Sequence, residues 1–284
     1  MTVTVVTDSS ACLPAELRAR WGIRVVPLHI LLDGADLRDG IDDVPEDIYA
    51  RDGVSTAGTN PEELTGAYRN ALADSGGAGV VAVHISAALS GTFGAAEQAA
   101  AQFDGGVRVV DSRSAAMATG FVALGAARAA AAGADLDEVA AAADAAVQRT
   151  HAYLVVHRLD NLRRSGRIGS AAAWLGTALS LKPLLAVDDG KLVLAQRIRT
   201  VGKATASMID RVCDVVGNRR AALAVHHVAN PQGAHEVAAA LGERLPDCEP
   251  AVITDLGPTL ALHVGAGAVA VCVDLNPGGA PAGV

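Results

Sequence analysis

The chain has 284 residues, a formal net charge of −8, 51% hydrophobic and 19% charged residues, and 3% aromatic residues. So much apolar sequence excludes a wholly disordered chain, and the negative charge argues against nucleic-acid binding as the main function. The four cysteines are scattered without a CxxC pair, so we predict neither a metal site nor a disulfide framework.

The first half of the chain alternates short runs rich in Val and Ile with Ala-rich amphipathic stretches. This alternation predicts a mostly parallel sheet with helices on its faces. The predicted strands cover residues 3–6, 24–32, 80–85 and 107–110. The predicted helices cover residues 14–21, 61–75, 90–102 and 114–132.

Asp-Ser pairs follow two of these strands at their carboxyl ends. Asp8 and Ser9 follow the first strand, and Asp111 and Ser112 follow the run at 107–110. Ligands of open α/β sheets lie beyond the carboxyl ends of the strands, so these four residues are candidate ligand contacts. Helix N-capping, a routine role of Asp and Ser, explains each pair at least as well.

The second half of the chain has a different pattern. Strands are predicted at residues 150–156, 184–187, 191–195, 221–228, 251–254 and 269–273, and helices at 158–163, 171–181, 203–216 and 231–241. The pair Asp189-Gly190 between two apolar runs predicts a hairpin. A hairpin and several short strands favour a mixed or antiparallel sheet. We therefore predict two α/β domains, residues 1–150 and residues 151–284.

A serine-containing segment follows the strand that ends near residue 85. It runs from Ser86 to Ser90 and Gly91 and opens a predicted helix. Free N–H groups and the positive end of the helix dipole attract an anion there, although simple N-capping is the favoured interpretation of the motif alone. The segment lacks the Gly-x-Ser-x-Gly of a hydrolase nucleophile elbow.

Two further segments carry candidate contacts. In the polar turn before residue 61, Asn60 is the expected helix cap and Pro61 the first helical residue, which leaves Thr56 free to contact a ligand. His263 precedes Gly265 near the last strand, which suggests a close backbone approach. A single histidine of this kind is more often structural than a ligand contact.

Arginines cluster in two neighbouring parts of the acidic chain. They are Arg163, Arg164, Arg167, Arg197 and Arg199. They form either an ordinary solvated surface or a dock for a phosphate or an acidic partner.

Read in order, these motifs resemble the DegV family over nearly the whole chain. Each motif alone is weak, but the ordered set is specific. The motifs are Val-Thr-Asp-Ser-Ser near the start, Val26-Pro27-Leu28, Asp39-Gly40, the Thr56 turn, Leu89-Ser90-Gly91-Thr92-Phe93, Val110-Asp111-Ser112, Arg164-Ser165-Gly166-Arg167-Ile168, Lys182-Pro183, Asp189-Gly190-Lys191, Arg197-Ile198-Arg199-Thr200 and His263-Val264-Gly265-Ala266-Gly267.

The chain departs from the family pattern in three places. Residues 57–60 replace the middle of the usual Thr-Ser-Gln-Pro-Ser-Pro turn, which leaves Ser55 and Thr59 as alternatives to Thr56. Ser165 replaces the first glycine of Gly-Gly-Arg-Ile, and Ala266 replaces the usual proline.

The resemblance implies a two-domain α/β protein that holds one long-chain fatty acid, such as palmitate, stearate or oleate, between its domains. It implies no other cofactor and no complete enzyme, because a separate fatty acid kinase would phosphorylate the bound lipid. By motif, Thr56, Ser90 and His263 would bind the carboxylate, and Arg167 and Arg199 would engage the kinase or its phosphates. Asp8, Ser9, Ser86, Asp111 and Ser112 remain possible additional contacts in the ligand site.

Two other functions are compatible with the sequence. Ser90, His263 and either Asp8 or Asp111 could be arranged as the triad of a free-standing hydrolase. Alternatively, the protein is a lipid-binding regulator without a kinase partner. The first residues resemble no signal peptide, and no apolar stretch is long enough to span a bilayer. We therefore expect a cytoplasmic protein without stable membrane insertion.

Overall fold

The computed structural model describes residues 2–168, 181–275 and 277–278. The strands are β1 (Thr4–Asp8), β2 (Arg24–Val26), β3 (His29–Leu32), β4 (Ala35–Arg38), β5 (Ser55–Ala57), β6 (Val80–His84), β7 (Val107–Asp111), β8 (Thr150–Val155), β9 (Leu184–Asp188), β10 (Lys191–Gln196), β11 (Ala221–His227), β12 (Val252–Asp255) and β13 (Val269–Leu275). The α-helices are α1 (Ala15–Trp21), α2 (Pro61–Asp74), α3 (Thr92–Ala100), α4 (Met117–Ala131), α5 (Leu136–Arg149), α6 (Asp160–Arg164), α7 (Val201–Val216), α8 (Pro231–Arg244) and α9 (Pro258–Val264). The helix predicted over residues 171–181 lies, apart from Leu181, outside the described residues.

The first sheet has the strand order β2-β1-β6-β7, and every pairing in it is parallel. All five residues of β6 are buried, as expected for a central strand with helices on both faces. The second sheet has the order β10-β9-β8-β13-β11-β12. In it β11 and β12 run parallel and the other pairs antiparallel. A parallel sheet flanked by helices and a mixed second sheet confirm the predicted α/β class.

The predicted hairpin joins β9 to β10. Asp188 pairs with Lys191, so the loop consists of Asp189 and Gly190. Their φ angles are 45° and 76°. Positive φ at both central residues is the requirement of a type I′ turn, which Asp-Gly meets at low cost.

A third sheet of order β4-β3-β5 was not predicted. The run at residues 24–32, predicted as one strand, is two strands in different sheets. Pro27 lies at the break, where a residue without a backbone N–H cannot continue the ladder. The prediction of a polar turn before Pro61 also missed a strand, because Ser55–Ala57 pairs with β3.

Helix α4 lies between the first and second sheets and is buried along most of its length. One core cluster joins Val83 of the first sheet, Phe121 of α4 and Leu154 of the second sheet. The small side chains of this Ala-rich helix allow the close packing. A Cβ at Gly120 would lie 2.8 Å from the carbonyl oxygen of Ala11. The core is thus continuous across Thr150, and the division into two domains there stays a prediction.

Candidate functional site

A cavity lies between the second sheet and the segments that follow β5 and β6. It encloses about 1000 Å³ of space not filled by protein atoms, including its open mouth. Its apolar walls come from both halves of the chain. They include Ile85, Leu89, Ala116, Ala152, Leu154, Val187, Leu192, Leu260, Ala270 and Cys272.

The sheet side of the cavity crosses four adjacent strands. Leu192 lies on β10, Val187 on β9, Leu154 on β8 and Ala270 on β13. With about 4.8 Å between neighbouring strands, this wall spans roughly 14 Å. Its apolar length suits a long hydrocarbon better than a compact polar ligand.

One end of the cavity is polar. Thr56 on β5 and His263 on α9 both line it, and Thr56 Oγ1 lies 2.9 Å from His263 Nε2. The two residues are 207 positions apart in sequence. The pairing of β5 with β3 places Thr56 opposite Ile30, at the edge of the small sheet next to α9.

Ser90 lies at the same end. Its Oγ is 2.9 Å from the Thr92 Oγ1 and accepts a hydrogen bond from the Thr92 N–H at 3.3 Å. Position 58 approaches this pair closely. A Cβ there would lie 3.3 Å from the Ser90 Oγ and 2.6 Å from the Thr92 Oγ1, so only glycine fits. Gly58 thereby brings the Thr56 segment and the Ser90 segment together.

Arg167 also lines the cavity, although the resemblance assigned it to docking. Its Nε donates to the Leu89 carbonyl oxygen at 3.2 Å, and its Nη1 to the Ser165 carbonyl oxygen at 2.6 Å. These bonds place a guanidinium beside the Ser90 segment. Among the described residues these are its hydrogen-bond partners, which leaves three of its five N–H donors for a ligand or another partner.

Burial, and then the nearby charge of Arg167, lower the pKa of His263 to about 4. His263 is therefore neutral near pH 7. Within the described part of the chain, its Nδ1 is buried without a hydrogen-bond partner. A neutral imidazole next to a hydroxyl supplies hydrogen bonding at this end of the cavity, and Arg167 supplies the positive charge.

This pKa predicts a pH dependence of stability. An unfolded histidine has a pKa of about 6.5, so the unfolded chain takes up a proton first as the pH falls. Stability from neutral His263 is present above about pH 6.5 and is lost towards pH 4, with about 2 kcal/mol lost between pH 7 and pH 5. We expect the free energy of unfolding of His263→Gln, measured by urea denaturation, to fall between pH 7 and pH 5 by about 2 kcal/mol less than that of the wild-type protein. Equal losses in the variant and the wild-type protein would contradict it.

Arg199 lies elsewhere. It is exposed, between β10 and α7, and is not among the described residues that line the cavity. Its neighbour Thr200 caps α7 by accepting a hydrogen bond from the Lys203 N–H. Arg199 thus lies on the surface, away from the cavity.

Asp8 and Ser9 form hydrogen bonds with neighbouring segments of the protein. The Asp8 carboxylate accepts hydrogen bonds from the Ile85 N–H at 2.9 Å, from His84 Nδ1 at 3.0 Å, and from the amide and hydroxyl of Ser10. Ser9 Oγ donates to Asp39 and accepts from the Leu28 N–H. The capping interpretation therefore describes Asp8, which caps the turn Ser9–Ala11.

Ser86, Asp111 and Ser112 also have structural partners. Ser86 Oγ donates to the Gly190 carbonyl oxygen at 2.8 Å. Asp111 accepts from the N–H groups of Ala87 and Arg113, and Ser112 Oγ lies 2.8 Å from the Thr119 hydroxyl. Neither these three residues nor Asp8 and Ser9 are among the described residues that line the cavity.

The geometry does not assemble the triad of a hydrolase among the described residues. Ser90 contacts Thr92, whereas His263 contacts Thr56. Asp8 and Asp111 are hydrogen-bonded to other groups. No cluster of three or more His, Cys, Asp or Glu in residues 2–168, 181–275 and 277–278 is arranged to hold a metal ion.

Sequence reasoning missed two parts of the site. Helix α9, which carries His263, has seven residues and too little periodicity to be recognised, although Gly257-Pro258 is a typical helix start. Thr92 was named only as part of a motif. In the structure its hydroxyl lies next to that of Ser90 at the start of α3.

Comparison with known proteins identifies the family. A sequence model described as "Uncharacterised protein, DegV family" matches residues 2–276. A DegV domain-containing protein of Mycobacterium tuberculosis is 70% identical over 276 residues, which cover 97% of this chain and 98% of that protein. The chain belongs to the DegV family.

Solved structures of DegV proteins have the same fold. A DegV family protein of Thermus thermophilus, described by its fatty acid binding, has a TM-score of 0.87 and 34% identity, over 97% of this chain and 100% of that one. DegV of Bacillus subtilis, described as a fatty acid binding protein, has a TM-score of 0.87 and 28% identity over the same shares. As for membrane spans, the described helices of this DegV protein include none with the length and apolarity to cross a bilayer.

Proposed function

We propose that this DegV protein binds one long-chain fatty acid, with the hydrocarbon in the cavity and the carboxylate at its polar end. The observation that carries the proposal is that Thr56, Ser90, His263 and Arg167 meet at one end of an apolar cavity. The fatty-acid-binding descriptions of the Thermus and Bacillus proteins support the same ligand.

Burial of the hydrocarbon is the main source of affinity. Each buried methylene contributes about 0.8 kcal/mol, so a sixteen-carbon chain offers on the order of 10 kcal/mol before other terms. Lost freedom of the ligand offsets several kcal/mol of this gain. Palmitate, stearate and oleate all satisfy this requirement, and tight binding needs no covalent bond.

The polar end suits an ionised carboxylate. A carboxylate only accepts hydrogen bonds, so Thr56 and Ser90 must each donate their single hydroxyl hydrogen to it. Thr56 can then only accept from His263, which places the His263 proton on Nε2. Nδ1, which has no hydrogen-bond partner among the described residues, is in that case an acceptor without a proton, which agrees with a neutral ring. Arg167 adds the positive charge that keeps the ligand ionised.

We further propose that the bound lipid is presented to a separate fatty acid kinase, which makes an acyl phosphate from ATP. The chain has no Gly-x-x-x-x-Gly-Lys-Ser/Thr loop to cradle ATP itself. Arg167 at the cavity and exposed Arg199 are suited to phosphates or to acidic residues of the kinase. Formation of acyl phosphate from the bound lipid by an added kinase distinguishes this function from that of a lipid-binding regulator.

Loss of the Ser90 hydroxyl tests the carboxylate site. We expect Ser90→Ala to weaken palmitate binding about tenfold, because one charge-assisted hydrogen bond is lost. Isothermal titration calorimetry on delipidated protein measures this. Ser112→Ala is the matched control, since it removes a buried hydroxyl outside the cavity and should leave the affinity unchanged. Wild-type affinity in Ser90→Ala would contradict the site, and absence of saturable palmitate binding in the wild-type protein would contradict the function.

A further inference from the structure

Thr92 places a buried hydroxyl directly behind Ser90. Thr92 is 0% exposed, and its Oγ1 makes a 2.9 Å hydrogen bond with the Ser90 Oγ. In the described part of the chain the Thr92 hydroxyl has no other hydrogen-bond partner. The Thr92 N–H donates to the same Ser90 oxygen at 3.3 Å. The Ser90 hydroxyl is therefore held by the amide and the hydroxyl of one residue.

Counting hydrogens determines the direction of this bond when an anion is bound. The Ser90 hydroxyl has one hydrogen, and a carboxylate accepts without donating. Ser90 must then give its hydrogen to the carboxylate and has none left for Thr92. The Ser90–Thr92 bond persists only if Thr92 donates to Ser90. A hydroxyl that accepts such a bond is itself a stronger donor.

We propose that Thr92 is a positioning residue of the carboxylate site and donates its hydrogen to Ser90 when an anionic lipid is bound. This inference rests on the proposed function. Thr92 touches Ser90 and not the ligand, so its role differs from those of Thr56, Ser90 and His263. The arrangement parallels the His263–Thr56 pair. Each hydroxyl that meets the carboxylate has a further hydrogen-bond donor behind it.

Gly58 shields the hydrogen bond between Thr92 and Ser90 from solvent. With only 2.6 Å from a Cβ at 58 to the Thr92 Oγ1, the Gly58 backbone covers the hydroxyl. A group this well covered cannot exchange its partner for bulk water. Loss of the Thr92 hydroxyl would therefore leave Ser90 without a replacement donor.

The test compares an acid with an alcohol of the same length. Hexadecanol both donates and accepts, so it does not require Thr92 to donate. We expect Thr92→Val, which keeps the branched shape, to weaken palmitate binding about tenfold. It should change hexadecanol binding less than about threefold, and Thr92→Ser should bind both ligands within about threefold of the wild-type protein. Calorimetry on delipidated protein gives all of these affinities.

Three outcomes would overturn the inference. The first is wild-type palmitate affinity in Thr92→Val, and the second is an equal loss for palmitate and hexadecanol, which would indicate a purely structural role. The third is an equal palmitate loss in Thr92→Ser and Thr92→Val. Ser90→Ala separates this failure from that of the proposed function. If Ser90→Ala loses affinity and Thr92→Val does not, only the role proposed for Thr92 is wrong. A wild-type protein that binds no palmitate would contradict both that role and the proposed function.

Discussion

Replacing Ala270 with phenylalanine is expected to weaken palmitate binding about a hundredfold while the protein stays folded. Ala270 lies on β13, is buried, and lines the apolar part of the cavity. A phenyl group there would take space from about four methylenes of the ligand, worth about 3 kcal/mol in all. Calorimetry with palmitate measures the affinity. Thermal unfolding of the ligand-free variant measures its stability, which should change by less than about 1 kcal/mol because the ring enters existing space.

Ala224→Phe is the matched control for this prediction. Ala224 is a fully buried alanine on the neighbouring strand β11, opposite Cys272, and it is not among the described residues that line the cavity. A phenyl group there has no space and should destabilise the protein by about 1–3 kcal/mol. The cavity assignment would be wrong if Ala270→Phe bound palmitate with wild-type affinity, or if it destabilised the protein as Ala224→Phe does.

Asp8→Ala is expected to lower the free energy of unfolding by about 4 kcal/mol. The Asp8 carboxylate is completely buried and accepts hydrogen bonds from Ser10, His84 and Ile85. Alanine would leave these donors buried without partners, and each costs about 1–3 kcal/mol, reduced by local relaxation. Urea denaturation with a common m value measures the change.

Asp111→Ala is the comparison, because Asp111 also ends a strand of the parallel sheet. Asp111 is only partly buried and accepts from two N–H groups, those of Ala87 and Arg113, at 3.3 and 2.8 Å. We expect its loss to cost about 1 kcal/mol. A change of less than about 1 kcal/mol in Asp8→Ala would show that these hydrogen bonds do not determine stability. It would also revive the interpretation of Asp8 as a ligand contact.

The outcome for the two Asp-Ser pairs shows how far a local motif can be interpreted. From the sequence, capping explained each pair at least as well as ligand contact did. The structure buries Asp8 against His84 and ties Asp111 to neighbouring amides. Both pairs do lie at the carboxyl ends of parallel strands, as the sequence predicted. The packing of the next strand decided that their oxygens are used within the protein.

Arg167 shows the reverse case. Its motif suggested a surface role, and the structure places its guanidinium in the cavity lining through bonds to the carbonyl oxygens of Leu89 and Ser165. Nothing in the local sequence specifies a contact between residues 78 positions apart. The electrostatic effect of Arg167 on His263 was therefore not predictable from the pattern of arginines.

The sequence by itself predicted the α/β class, a mixed or antiparallel second sheet and the hairpin at Asp189-Gly190, because these depend on local periodicity and on residues that tolerate positive φ. It also supplied Thr56, Ser90 and His263 as candidates through the ordered motifs. Only the tertiary structure decided that these three side chains share one end of a cavity. That decision depends on the packing of α9 against β5 and on the close approach of Gly58 to Ser90 and Thr92, and such packing between distant segments leaves no signature in any short stretch of the chain.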